Sequence, residues 1–255
     1  MSFQGKVVSF IDIGTNSIRT AVIRLNPNYS YSILSRQKQV VRLGESEFLE
    51  HMLIPAAIER CVVVCKRFVE MGRAFGAEEF VTVATSATRE ARNQGELLER
   101  LRKEVGIEAR VISGKEEARL IYLGVSTAFH LEDRYGVFID IGGGSTEVSV
   151  GNQSEFVYLD SLKLGAIRLS ELFISEEETG PVYPEKYAQM KKSVRSEIVR
   201  TVQKVKRYKL DLAVGTSGTI INLGEVAMRN LNGAMGKNDT LTMSRLKKTI
   251  DLLCS

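Results

Sequence analysis

Histidine is nearly absent: the 255 residues contain two, His51 and His130, and neither stands beside a serine, a cysteine or a metal-ligand cluster. That excludes the usual foundations of a Ser-His-Asp triad or a zinc site. Cysteine is scarce too, with three residues, and the pair Cys61 and Cys65 sits one helical turn apart on an apolar helix. An odd count so placed reads as core thiols, not as a disulfide framework. No apolar run approaches the roughly 20 residues needed to span a bilayer, and MSFQGKVVSF has no signal-peptide anatomy, so a cytoplasmic protein without a membrane partner is expected. No G-x-x-x-x-G-K-[ST] occurs, which excludes a Walker loop. Hydrolytic chemistry on this chain would have to rest on carboxylates, backbone amides and metal.

What is present is an ordinary globular composition, 44% hydrophobic and 26% charged with only four prolines, long enough for two domains. The net charge of +4 is small but uneven: residues 186–209 hold nine basic side chains against the single acid Glu197. Tyr187, Met190, Val194, Ile198, Val202 and Val205 step by three and four, which predicts an amphipathic helix with a basic outer face. A solvated face is the common reading of such a run, and attraction of a polyanion the sharper one.

The chain repeats itself. FIDIGTNSIRTAV at 10–22 aligns without a gap on FIDIGGGSTEVSV at 138–150, and VATSATR at 83–89 on VGTSGTI at 214–220. In each half two strands flank the acid-glycine turn, a long helix follows, then a strand, a small-residue turn and another helix; the helix GKEEARLIYLGVSTAF closes the first half. A repeat this long suits a domain duplication, here divided as 1–124 and 125–255, with two α/β domains facing a shared cleft.

The turns suit phosphate. Gly142, Gly143, Gly144 and Ser145 let the backbone approach a ligand and present several N–H groups, and Gly14, Thr15, Asn16 and Ser17 match them from the other wall. Gly215, Thr216, Ser217 and Gly218 precede a helix whose N-terminus attracts anions. Asp12 and Asp140 would repel phosphate unless a hard cation lay between, and Mg²⁺ accepts one or two protein carboxylates plus substrate oxygens. Either turn alone could be a glycine-rich hairpin whose Asp ties down backbone N–H groups; the pair in register argues for a shared ligand.

DIGTNSIR (12–19), ATSATREARN (84–93), VISGKEEARLIYLGV (111–125), DIGGGSTE (140–147) and GTSGT (215–219) together resemble the exopolyphosphatase and guanosine pentaphosphate phosphohydrolase (Ppx/GppA) family of the actin-like ATPase superfamily. The resemblance implies two duplicated ribonuclease H-like domains and release of terminal orthophosphate from inorganic polyphosphate with a divalent cation; Mg²⁺ or Mn²⁺ is expected, at the Asp12 and Asp140 read from the turns. It implies Glu117 as the base that activates water, Glu147 as a second catalytic carboxylate and Arg89 as a phosphate-binding residue. Glu117, beside Glu116 at a helix start, also suits plain stabilisation of the helix dipole. Guanosine pentaphosphate is the alternative substrate, and an actin-like ATPase or kinase, or a non-catalytic phosphate sensor, the alternative class. No nucleic-acid partner is expected, and a homodimer is left open. Relatives usually continue past TLTMSRLKKTIDLLCS, so the chain is expected to be part of something longer, with its second domain incomplete at the C-terminus.

Overall fold

The computed structural model describes residues 5–174, 178, 180–229 and 240–254. The first half runs β1 (Lys6–Ile13), β2 (Ser17–Leu25), β3 (Tyr31–Val40), α1 (Glu47–Glu50), α2 (Pro55–Ala74), β4 (Glu79–Ala84), α3 (Ser86–Glu90), α4 (Gln94–Arg100) and β5 (Ala109–Val111). Then follow α5 (Gly114–Ser126), β6 (Gly136–Ile141), β7 (Thr146–Gly151), β8 (Phe156–Leu162), α6 (Ala166–Phe173), α7 (Pro184–Val205), β9 (Leu212–Thr216), α8 (Ser217–Arg229) and α9 (Met243–Leu253). The strands make two sheets, ordered β3-β2-β1-β4-β5 and β8-β7-β6-β9. Each contains an antiparallel three-stranded meander joined to a parallel strand, β4 beside β1 and β9 beside β6. The duplication read from sequence is thus a duplication of topology, a mixed α/β fold of two ribonuclease H-like halves.

Sequence pattern explains the larger core. Inward residues Ile11 and Ile13 of β1 alternate with outward ones, as a half-buried strand requires. They meet the α2 face bearing Ala57, Ile58, Cys61, Cys65 and Phe68, so both thiols are core-packed. Pro55 starts α2, where its missing N–H costs nothing, and Gly76 follows its end with φ 81°. The second half has a smaller core, Val137, Val148, Val150, Leu162 and Leu164, against which α7 lays Val194, Ile198 and Val205.

Two elements differ from their sequence reading. On α7 the inward position after Ile198 belongs to Thr201, whose hydroxyl donates to Asp160 at 2.6 Å, while Val202 is exposed. Polarity concealed a buried residue that fits the helical period. α5, placed by sequence with the first half, packs on β7 and β8 of the second sheet. Tyr122 drives this, with its ring edge-on to Phe138 and Phe156 and its hydroxyl donating to the Asn152 carbonyl at 2.8 Å. A division at 124/125 therefore cuts the last turn of a helix that covers the second sheet.

Removing that hydroxyl leaves the buried Asn152 carbonyl without its donor, so Tyr122→Phe should lower unfolding stability by about 1–2 kcal/mol. Equilibrium urea unfolding measures it, and an unchanged midpoint would show that the bond stabilises nothing.

Candidate active site

Both acid-glycine turns close with the same bond: the Gly14 N–H donates to the Ser17 carbonyl at 3.2 Å and the Gly142 N–H to the Ser145 carbonyl at 3.0 Å. The remaining carbonyls are tied behind each turn. Ala166 N–H donates to the Gly142 carbonyl, Ile167 and Arg168 N–H to that of Gly143, and the Arg168 side chain to that of Gly144. These donors are the first N–H groups of α6, which have no partner inside their own helix. Since N–H and C=O of a trans peptide point in opposite directions, the amides of residues 143–145 face away from α6, towards the cleft. In the first turn the Thr15 carbonyl accepts from Gly44 N–H and that of Asn16 from Val41 and Arg42, which turns the Asn16 and Ser17 amides the same way. Two arrays of backbone donors thus face one space, a ready anion site.

The packing leaves no room behind them. A Cβ on Gly165 would lie 2.2 Å from the Gly143 carbonyl oxygen, and one on Gly144 would lie within 2.9 Å of Ser86, Thr15 and Phe48. Glycine there is a condition for the close approach of turn to turn.

Between the turns lies a cleft of about 520 Å³. Asp12, Asp140, Glu117 and Glu147 line it, with every candidate residue of the two acid-glycine turns and with Ser217 and Gly218. The other three candidates lie just outside the lining. Gly215 backs onto Ile220; the Thr216 hydroxyl donates to Asp140 at 2.6 Å; Arg89 sits behind Glu117, donating to its carboxylate and to the Ile112 carbonyl, each at 3.0 Å. Thr219, at the end of the GTSGT turn, lines the cleft as well, and so do Arg19, Lys38, Thr85, Ser86 and Asn222, which were not among the candidates. The internal alignment held a signal for Arg19, the first-half counterpart of Glu147: the two residues face Asp12 and Asp140 across their hairpins.

The halves differ in register. Asp12 lies opposite Val83, but Asp140 lies opposite Thr216, the counterpart of Thr85. This even step keeps side chains on the same face while bringing a hydroxyl to Asp140 only. Asp12 instead has Arg19 at 3.9 Å.

Burial, and then charge, sets the protonation of these acids. Asp12 is raised above the ordinary carboxylate range by burial, against the pull of Arg19, and further by Asp140. Burial raises Glu117 too, opposed by its bond to Arg89 and reinforced by Asp12 and Asp140. Glu147 is pushed up to about 8 by burial and the charge of Glu117, although Ser161 donates to it at 2.8 Å. Arg89 gives Glu117 a cationic partner that Glu147 lacks, so of the two Glu117 is the more readily ionised. Among the described residues no three His, Cys, Asp or Glu side chains converge at metal-ligand spacing. Asp12 and Asp140 fit the other donor set, one or two carboxylates completed by phosphate oxygens, which suits a hard divalent cation.

Facing donor arrays around a carboxylate group define a two-lobed α/β protein built to handle phosphate. The chain belongs to the Ppx/GppA phosphatase family, whose family model matches residues 22–255. A Haemophilus influenzae protein provisionally named an exopolyphosphatase is 31% identical over 246 residues, spanning 96% of this chain and 73% of that protein. The crystal structure of an exopolyphosphatase from Cytophaga hutchinsonii superposes with a TM-score of 0.88 at 25% identity, over 98% of this chain and 80% of that one. The Aquifex aeolicus PPX-GPPA enzyme superposes with a TM-score of 0.76 at 29% identity, over 98% and 81%.

Because the folded-state pKa of Glu147 lies above its unfolded value, folding protects its protonated form. Its contribution turns unfavourable as pH rises from about 4.3 towards about 8. In metal-free protein, Glu147→Gln should therefore reduce the loss of melting temperature between pH 5 and pH 8.5. An unchanged loss would mean that Glu147 is not a titrating group in this window.

Proposed function

We propose that the protein is an exopolyphosphatase that removes terminal orthophosphate from inorganic polyphosphate, with Glu117 as the base for the attacking water. The observation that supports it most is the Glu117 carboxylate itself, held on the cleft by Arg89 at 3.0 Å between the two acid-glycine turns. Water attacks the terminal phosphorus, the anhydride P–O bond breaks, the water proton passes to Glu117, and orthophosphate leaves a chain one unit shorter. Phosphoryl transfer of this kind asks mainly for positioning and charge neutralisation. Amides of residues 143–145 and of Asn16 and Ser17 would hold the terminal oxygens. Glu147, keeping its proton at neutral pH, would donate a hydrogen bond where an ionised neighbour would repel the substrate. Mg²⁺ or Mn²⁺ held by Asp12 and Asp140 would supply charge neutralisation on the phosphate oxygens.

Polyphosphate is favoured over guanosine pentaphosphate because no aromatic side chain lines the cleft among the described residues, so a purine has nothing to stack on. The basic face of α7 adds to this. Lys191, Lys192 and Arg195 border an open groove of about 450 Å³ with Tyr187 and Val199, and none has an acidic partner among the described residues. A long anion can use such a groove; a nucleotide confined to the cleft cannot.

Glu117→Gln keeps shape and hydrogen bonding but cannot take the proton, so phosphate release should fall by about 10² to 10⁴ while substrate binding persists. Glu116, exposed to Arg119 on the neighbouring face of α5, is the control, and Glu116→Gln should stay near wild type. Near-normal turnover in Glu117→Gln would remove the assignment.

Changing Lys191, Lys192 and Arg195 together to Ala should weaken binding of long polyphosphate more than of short, with the difference shrinking as salt is raised. Equal weakening at all chain lengths would reduce α7 to a solvated face.

A further inference from the structure

Behind the glycine turn lies a polar cluster that the chemistry above does not use. Arg168, from the first turns of α6, is 6% exposed, and its guanidinium is spent in three directions. Nε donates to the Gly144 carbonyl at 2.6 Å, and Nη2 to Glu90 and, at 3.4 Å, to the Ser86 hydroxyl. The planar face lies 4.1 Å from the centre of the Phe48 ring. Gly144 belongs to the second half, whereas Ser86, Glu90 and Phe48 belong to the first. One side chain therefore fastens the glycine turn of one wall to the small-residue turn of the other.

The surroundings are arranged around that fastening. Glu90 also accepts from Lys163 at 3.2 Å and from the Ser86 hydroxyl at 3.3 Å, and although burial opposes it, these cations hold its carboxyl below the usual range. Nearby, Glu171 of α6 accepts from the Ser46 N–H at 2.9 Å, a second bond across the same seam. A buried charge-assisted pair is costly to desolvate, so its value is more readily specificity of geometry than stability. A lysine could not reproduce it, since a point charge cannot serve a carbonyl, a carboxylate and a ring face at once.

We propose that Arg168 is a positioning residue for the reaction: it sets the spacing between the 142–145 turn and the Thr85–Ser86 turn, so that groups of both walls reach the terminal phosphate together. Arg168 does not touch substrate and acts through the Gly144 carbonyl and Glu90. The inference rests on the cleft being the phosphate site, not on polyphosphate being the preferred ligand.

The test compares wild type, Arg168→Gln, Arg168→Lys, Glu90→Gln and the Arg168→Gln/Glu90→Gln pair in steady-state phosphate release, with melting temperatures alongside. Misplaced donors should lower kcat of Arg168→Gln by about tenfold to a hundredfold with KM within about threefold, as small misplacements remote from the chemistry do. Arg168→Lys should fall between, and adding Glu90→Gln should cause no further loss, because both changes break one interaction. A kcat within twofold of wild type in a variant of lowered melting temperature would make Arg168 a structural residue and overturn the proposal; so would losses that multiply in the pair. Should Arg168→Gln fail to fold, Arg168→Lys against wild type decides by the same kcat criterion. Should wild type release no phosphate from polyphosphate, that reading fails separately. The same variants are then titrated by calorimetry with orthovanadate, whose five-coordinate adduct resembles the phosphorus in transfer, where about tenfold weaker binding supports the lock and unchanged binding overturns it.

Discussion

Crowding of like charge is the constraint from which the rest of this structure follows. Asp12, Glu117, Asp140 and Glu147 are directed into one cleft, and burial and mutual repulsion raise the first, second and fourth of these. A folded chain tolerates such a group only if its members are held and partly neutralised. Arg89 holds Glu117, Thr216 holds Asp140 and Ser161 holds Glu147, each on a different element. The residual negative charge lies opposite donors that attract anions, a combination that makes chemical sense when a cation and a phosphate enter together.

Rigid presentation of those donors is the task of the surrounding fold. An N-terminal helical turn has N–H groups to satisfy, and a glycine turn that is to face a ligand has carbonyls to dispose of; α6 and residues 142–144 settle both needs at one contact. The first half solves the same problem with an irregular segment, residues 41–44, in place of a helix. Duplicated turns have thus been supported by unlike means, which fits a repeat whose ligand-facing geometry matters more than its scaffolding.

Much of this was legible in the sequence, because it was written in local and periodic signals. The two hairpins, the long α2 with its Pro55 start, the core thiols and the pairing of Asp12 with Asp140 all follow from turn chemistry, helical period or the internal repeat. What escaped depended on contacts between distant segments. Thr201 is buried because Asp160 reaches it, and its polarity hid it from a hydrophobic pattern. The allegiance of α5 is decided by Tyr122 meeting Phe138, Phe156 and the Asn152 carbonyl, none of which is near it in the chain. That Arg89 donates to both Glu117 and the Ile112 carbonyl is likewise a contact that no one-dimensional motif records. Arg168 carried no signal of its own, since a single arginine on a short amphipathic helix looks like a surface residue until the first half closes over it.

The exchange of Arg19 for Glu147 at equivalent places in the two hairpins gives the cleft a direction. Two walls related by a perfect dyad would accept an extended anion equally well either way round. Here one wall offers a cation where the other offers an acid, and the register step gives a hydroxyl partner to only one of the two aspartates. The duplication supplies the enclosure, and its imperfection makes the two walls electrostatically unlike.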